Sequence, residues 1–238
     1  MLSEPKVGTM SLSMAPFAAH ADNAEPPELA YPMEKGTYWI YEGPTTWTQA
    51  TPPRSFQRVL RCRMEIVDVI KQADLVVAVI KGHPIDLAWY EEGKAPGDYL
   101  LVRLPGEKYY LIRGDRVAKV LEQLDSGAEL EGIVQEYELF LDLPLEKGAR
   151  FGQTTLLTRS DYMYSWFVEE VEPVLLAGVR GIDPSAPRTL YDLVYRSWSE
   201  HILIDFVPGI GIVNYIYSHH GSASETHLKL IEYHPGQH

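Results

Sequence analysis

Three histidines near the end of the sequence are candidates for a metal site. His219 and His220 are adjacent in a polar stretch, and His227 follows Glu225 in the next apolar run. A zinc site needs its ligands to converge on one point at about 2 Å. Adjacent residues in a strand point to opposite faces, and the sequence contains neither an HExxH nor a CxxC motif. We interpret the group as an exposed polar loop, with a metal-dependent enzyme as the less favoured alternative.

Carboxylates in several apolar runs could provide acid–base catalysis. Glu169 and Glu170 are adjacent in a predicted strand, so alternation places them on opposite faces and they cannot act across one bond. Asp205 lies among apolar neighbours, and if buried it would need a donor such as His201 or an arginine. The sequence has no G-x-S-x-G turn, and its glycines do not have the spacing of a phosphate loop. We predict no catalytic residue, no metal site, no cofactor and no enzymatic activity.

Aromatic rings with a polar edge are the third candidate group. The chain contains 15 Tyr and 5 Trp against 6 Phe. Such rings suit the wall of an apolar cavity with polar edges, which could hold a lipid or acyl chain. If the rings face outward instead, they are ordinary cross-strand pairs. The predicted ligand-binding residues are Trp39, Tyr41, Tyr164, Trp166, Tyr195 and Tyr215.

Most of these side chains lie in predicted β-strands. We predict a loop at Pro44–Ser55 and an element at Ile133–Leu141 that is ambiguous between strand and helix, with a strand favoured. The central run Leu75–Lys81 is apolar on both faces, as in a strand covered on both sides. The predicted strands are Gly36–Gly43, Phe56–Ile70, Leu75–Lys81, Tyr99–Leu104, Lys108–Arg113, Tyr162–Val171, Leu190–Ser197, His201–Phe206, Ile212–Tyr217 and Thr226–Tyr233.

One helix is predicted at Arg116–Leu124, because Val117, Val120, Leu121 and Leu124 have helical spacing. Strands and helices do not alternate, which argues against a parallel sheet. The predicted fold class is therefore mainly β. We expect one strongly curved antiparallel sheet of about ten strands, a half-barrel whose inner face wraps one or two short helices. A closed or sandwiched sheet is the alternative.

Composition limits the function further. The net charge is −12, and no basic run is present, so binding to nucleic acid is not expected. The sequence has no run of 18 apolar residues, so we do not expect it to span a membrane. Cys62, on the alternating apolar positions of its run, is interpreted as a small core residue. Residues 1–30 are predicted to be a disordered tail or a degenerate signal peptide, and residues 31–238 a single β-rich domain.

Two short motifs resemble those of uncharacterised bacterial envelope proteins. They are Tyr38–Gly43 (YWIYEG) and Phe206–Val213 (FVPGIGIV), about 14 residues of the 238. Some such proteins are similar in fold to the periplasmic lipoprotein carriers, in which a curved antiparallel sheet holds acyl chains. The resemblance implies an extracytoplasmic location, in the periplasm or at the cell surface, with the cytoplasm as the alternative.

The predicted function is non-enzymatic binding of an apolar small molecule, a lipid or a partner in the hollow of the sheet. The alternative from another class is a structural or interaction module whose core is filled and which binds no ligand.

Overall fold

The computed structural model describes residues 31–49, 52, 54–72, 74–126, 132–220 and 224–236. Residues 1–30, and with them the predicted tail or signal peptide, lie outside this part. The described elements are twelve strands, one α-helix and three short 3₁₀-helices. The strands are β1 Tyr38–Gln49, β2 Arg54–Gln72, β3 Leu75–Lys81, β4 Asp98–Leu104, β5 Lys108–Arg113, β6 Leu139–Asp142, β7 Arg150–Gly152, β8 Ser165–Val174, β9 Arg188–Arg196, β10 Glu200–Val207, β11 Gly211–His219 and β12 Glu225–His234, and the helices are α1 Asp115–Asp125 and the 3₁₀ turns Pro84–Leu87, Glu136–Glu138 and Thr154–Leu156.

All twelve strands belong to one antiparallel sheet with the order β6-β5-β4-β3-β2-β1-β12-β11-β10-β9-β8-β7. Every ladder joins strands consecutive in sequence, except the pairing of β1 with β12. Gly43 permits that pairing, because a Cβ at this position would lie 1.9 Å from the carbonyl oxygen of His227. The two end strands of the sheet, β6 and β7, approach each other without forming a ladder. We call this gap the seam. The sheet is thus a nearly closed barrel of twelve strands, where the sequence predicted about ten strands and a half-barrel.

The interior of the barrel is filled by large side chains along most of its length. Trp39, Tyr41, Met64 and Phe206 have 0% of their surface exposed. They alternate with outward residues along their strands, as the sequence pattern predicts. Cys62 belongs to the same core and is buried, which confirms its interpretation as a small core residue.

Helix α1 confirms the predicted helix but lies on the outer face of the sheet. Val117, Val120 and Leu124 pack with Leu75 and Val77 of β3 in a second, smaller core. The prediction that the inner face of the sheet wraps the helix is therefore wrong. Interior space is occupied by the aromatic side chains, and the outer face of β3 to β5 carries apolar residues that need a cover.

Two predicted boundaries are also wrong. The loop predicted at Pro44–Ser55 is mostly strand, because β1 continues to Gln49 and β2 begins at Arg54. The rings of Trp47 and Phe56 stack across this hairpin at 5.4 Å, which favours the extended pairing. The strand predicted to start at Tyr162 begins instead at Ser165. The ambiguous stretch Ile133–Leu141 contains a 3₁₀ turn, followed by the start of β6.

Each end of the barrel receives a chain segment. At one end Tyr31 enters the core, where its ring stacks on that of Phe206 at 6.0 Å. At the other end the connection between β3 and β4 folds inward, and Ala88 is fully buried. Thr226 Oγ1 donates a hydrogen bond to the carbonyl oxygen of Leu87 at 2.7 Å, which fixes this connection to β12. The core is therefore open mainly beside the seam.

Candidate functional site

A cleft opens into the barrel beside the seam. Its inner cavity has a volume of about 130 Å³ and a second cavity next to it about 200 Å³. Both cavities are lined by Tyr137, Leu139, Trp166 and Tyr195, so we treat them as one cleft. The inner cavity is also lined by His83, Ile85, Leu111, Arg113, Glu138, Phe140, Glu200, Ile202, Ile204 and Tyr215.

The structure brings four of the six predicted ligand-binding residues to this cleft. Trp166 and Tyr195 face each other from β8 and β9, with ring centroids 5.4 Å apart. Tyr215 lies deeper, at 1% exposure, and Tyr164 lines the outer cavity. Tyr164 has a φ of 61°, an uncommon conformation for a bulky residue, in the turn that precedes β8. An irregular turn thus places the fourth ring beside three that come from regular strands.

The other two predicted residues, Trp39 and Tyr41, do not line this cleft. Both are fully buried on β1. Trp39 Nε1 donates to the carbonyl oxygen of Ile210 at 2.6 Å, and the Tyr41 hydroxyl donates to that of Ile212 at 3.0 Å. These bonds connect β1 to the chain around the start of β11. A role for these two rings in ligand contact stays a prediction.

His83 is a polar group in the wall of the inner cavity. It precedes the 3₁₀ turn Pro84–Leu87, and its Nδ1 accepts a hydrogen bond from the backbone N–H of Ile85 at 3.1 Å. Complete burial, with a smaller effect from the nearby charge of Arg113, lowers the pKa of His83 to about 3. The imidazole is therefore neutral across the physiological range. It contributes a polar wall without a charge.

Three charged residues line the inner cavity, Arg113, Glu138 and Glu200, and none of them is among the predicted ligand-binding residues. Glu138 bonds Arg116 of α1 at 2.7 Å. Arg113 has no hydrogen bond or ion pair within the described residues. Glu200 accepts a hydrogen bond from the Tyr217 hydroxyl at 3.2 Å. The alternation of inward and outward residues along β5 could have identified Arg113, because residue 113 continues the inward series of Tyr109 and Leu111.

The Tyr215 hydroxyl is buried beside this cavity without a hydrogen-bond partner in the described part of the chain. Burial raises the pKa of Tyr215, while the charge of Arg113 opposes that rise in part. The group is thus a neutral donor with an unsatisfied proton. An unpaired donor and an unpaired cation border the same small space.

The histidine group does not form a metal site within the described residues, where no three His, Cys, Asp or Glu side chains are placed to hold an ion. His227 faces outward on β12, and its Nε2 lies 3.1 Å from Asn214 Oδ1. His219 packs its ring against that of Trp89, with centroids 4.7 Å apart. Part of the predicted polar loop, residues 221–223, lies outside the described part.

Glu169, Glu170 and Asp205 lie outside the cleft. Glu169 and Glu170 are both exposed, because the register of β8 shifts between Val168 and Val171, so the prediction that they lie on opposite faces is wrong. Asp205 pairs in register with Asp192 of β9, rather than with His201 or an arginine. Burial, together with a hydrogen bond to Asp205 and its charge, raises the pKa of Asp192 to about 6. Glu170 forms an ion pair with Lys147. These groups are remote from the cleft by the alternation of the sheet, so they do not supply it with an acid or a base.

Among the residues that the structure describes, no helix is both long enough and apolar enough to cross a lipid bilayer.

Comparisons with known proteins yield likenesses in structure only. No protein-family model matches the chain, and no curated protein matches its sequence. One similar solved structure is a presumed exported protein with a YmcC-like fold from Bacteroides fragilis. It is 12% identical, with a TM-score of 0.41, over 87% of this chain and 99% of that one. Another is a presumed lipoprotein from Parabacteroides distasonis, 10% identical with a TM-score of 0.36, over 88% of this chain and 100% of that one.

Proposed function

We propose that this protein is a non-enzymatic binding domain that holds an apolar small molecule in the cleft beside the seam. The observation that carries the proposal is the cleft itself, where Trp166, Tyr195 and Phe140 surround an opening into an otherwise filled barrel. Phe140 meets Trp166 edge to face at 5.8 Å. Aromatic and aliphatic walls with a few polar groups are typical of small-molecule sites.

The size of the cleft limits the ligand. At roughly 30 Å³ for each water-sized group, the inner cavity of about 130 Å³ holds about four such groups. The outer cavity of about 200 Å³ adds about seven. The ligand is therefore a medium-length chain or a ring compound rather than a whole membrane lipid.

A module with a filled core and no ligand is the second candidate. The observation that favours it is the small size of the cleft, whose two cavities of about 130 and 200 Å³ together only just reach the roughly 300 Å³ at which ligand pockets usually begin. The two candidates differ in whether the cleft admits an apolar molecule.

The test is a titration of the purified protein with the small uncharged fluorescent dye 1-naphthol, whose size matches the capacity of the cleft. We expect saturable binding that Ile202→Trp abolishes, because the larger ring fills the inner cavity, while Val59→Trp on the outer surface leaves it unchanged. Ile202 is 9% exposed and Val59 is 69% exposed. Thermal melting confirms that both variants are folded. Absence of binding to the unsubstituted protein favours the filled module, and equal binding by both variants places the dye elsewhere and contradicts the proposal.

A further inference from the structure

We propose that the ligand of the cleft is a carboxylic acid with a short apolar chain, whose carboxylate binds Arg113. This inference rests on the proposed function and adds the chemical class of the ligand. It starts from Arg113, a cation that lines the inner cavity and has no partner of its own among the described residues.

The position of Arg113 in its strand directs it toward the interior. Tyr109 and Leu111 alternate into the main core along β5, and residue 113 continues that series at the end of the strand. Arg113 is exposed, so it lies at the rim of the cavity and can meet a ligand without prior burial of its charge. Its field reaches the core, since it lowers the pKa of His83 and opposes the rise in that of Tyr215.

The neighbouring cation is not available for the same role. Arg116, three residues further along, is bound by both carboxylate oxygens of Glu138, at 2.7 and 3.0 Å. That pair is satisfied within the protein. Arg113 is thus the cationic side chain of the cavity wall that can form an ion pair with an anionic group of the ligand.

The Tyr215 hydroxyl is a second and independent observation. It is buried at 1% exposure against the same cavity and donates to no described group. A buried unpaired donor is costly, and an oxygen of a bound ligand would satisfy it. A neutral His83 adds a polar wall without competing for the carboxylate.

The apolar part of the ligand is assigned to the aromatic side of the cleft. Trp166 and Tyr195 connect the inner cavity to the outer one. A chain of roughly eight carbons matches the combined capacity of about eleven water-sized groups. Glu200, on the same cavity wall, carries the opposite charge and opposes an anion.

The test compares octanoate with octanol as competitors of the dye 1-naphthol, at equal chain length. We expect octanoate to bind the unsubstituted protein about tenfold more tightly, in line with a charge-assisted hydrogen bond. Arg113→Gln removes this preference, whereas Glu200→Gln strengthens octanoate binding because it removes the repulsion. Arg196→Gln, in which an arginine on another strand is changed, leaves the preference unchanged.

The opposite signs at Arg113 and Glu200 cannot come from a general loss of structure. Equal affinity for octanoate and octanol overturns this inference while the proposed function stands. Both variants shifting in the same direction overturns it as well. If neither compound displaces the dye and the dye itself does not bind, the proposed function fails and this inference fails with it.

Discussion

Two tyrosines of the barrel core differ in whether their buried hydroxyl has a hydrogen-bond partner, and this decides the contribution of each hydroxyl to stability. The hydroxyl of Tyr41 donates to the carbonyl oxygen of Ile212 at 3.0 Å, whereas that of Tyr215 is buried with no described partner. A buried hydrogen bond contributes about 1 kcal/mol, and an unpaired buried group costs about 1–3 kcal/mol.

We therefore expect opposite effects from the same chemical change at these two positions. Tyr215→Phe should raise the free energy of unfolding of the ligand-free protein by about 1 kcal/mol, and Tyr41→Phe should lower it by a similar amount. Urea denaturation followed by circular dichroism measures both. A loss of stability in Tyr215→Phe would indicate that the hydroxyl has a partner in solution.

Asp192 gives the stability a pH dependence. Its folded-state pKa of about 6 lies above the ordinary value of 3.8, so the folded chain takes up this proton first as the pH falls. The charged form of Asp192 therefore lowers the free energy of unfolding above pH 6. This destabilisation disappears as the pH falls from 6 toward 4. Because the carboxyl is only partly buried, the effect is limited to about 1 kcal/mol.

We expect Asp192→Asn to raise the melting temperature at pH 7.5 and to leave it nearly unchanged at pH 4.5. Glu172→Gln removes one negative charge from an exposed position of β8 and serves as the control. Thermal melting of the three proteins at both pH values measures the difference. An equal gain from both substitutions would assign the effect to net charge and not to the Asp192–Asp205 pair.

At the scale of elements, one ion pair connects α1 to the cleft. Arg116 on α1 binds Glu138 in the 3₁₀ turn Glu136–Glu138, and the Glu138 side chain is only 6% exposed. Glu138 also accepts the backbone N–H of Gln135 at 2.8 Å. Removal of the arginine alone would leave a buried carboxylate without its counter-charge, which costs about 3–5 kcal/mol.

We accordingly expect Arg116→Ala to destabilise the protein by about 3 kcal/mol. The double substitution Arg116→Met with Glu138→Gln should recover most of this loss, because the buried charge is gone. Lys119→Ala, on the exposed face of the same helix, should change little. Chemical denaturation of the four proteins decides the matter, and a small effect of Arg116→Ala would show that water reaches Glu138.

The strands and the helix also show how much of the fold can be predicted from the sequence. Two-residue alternation identified most strands, since a barrel wall has an inner and an outer face. The helical spacing of Val117, Val120 and Leu124 predicted α1 and its buried face, but not which side of the sheet it covers. That side is set by competition for space, and the interior is already filled by rings such as Trp39 and Tyr41.

The cleft was harder to predict than the strands. Trp166 and Tyr195 follow from alternation. Tyr164 was predicted on the same alternation, in the strand Tyr162–Val171, but it reaches the cleft from a turn with positive φ that precedes β8. Arg113 and Glu200 are ordinary charged residues at strand ends. Their common cavity exists only because strands distant in sequence meet across the barrel.

The barrel is closed by a ladder between β1 and β12, and it is interrupted at the seam between β6 and β7. Strands β1 and β12 form a ladder with each other and with a further neighbour on each side. Strands β6 and β7, of four and three residues, end the sheet at the seam. Local opening is easiest where backbone groups have the fewest partners.

Hydrogen exchange followed by mass spectrometry should therefore show different amide exchange rates in the strands at the seam and in β1 and β12. We expect amides of β6 and β7 to exchange at least about tenfold faster than those of β1 and β12, and octanoate to slow exchange at the seam. Equal protection of all four strands would contradict an open seam in solution.

The pairing of the first strand with the last has a consequence for biosynthesis. During translation β1 leaves the ribosome long before β12. One edge of β1 therefore stays exposed while more than 150 residues are added. Contacts of such large sequence separation are slow to form. The edge of β1 that pairs with β12 is therefore unpaired on the nascent chain, and the completed sheet can exist only after the final strand has emerged.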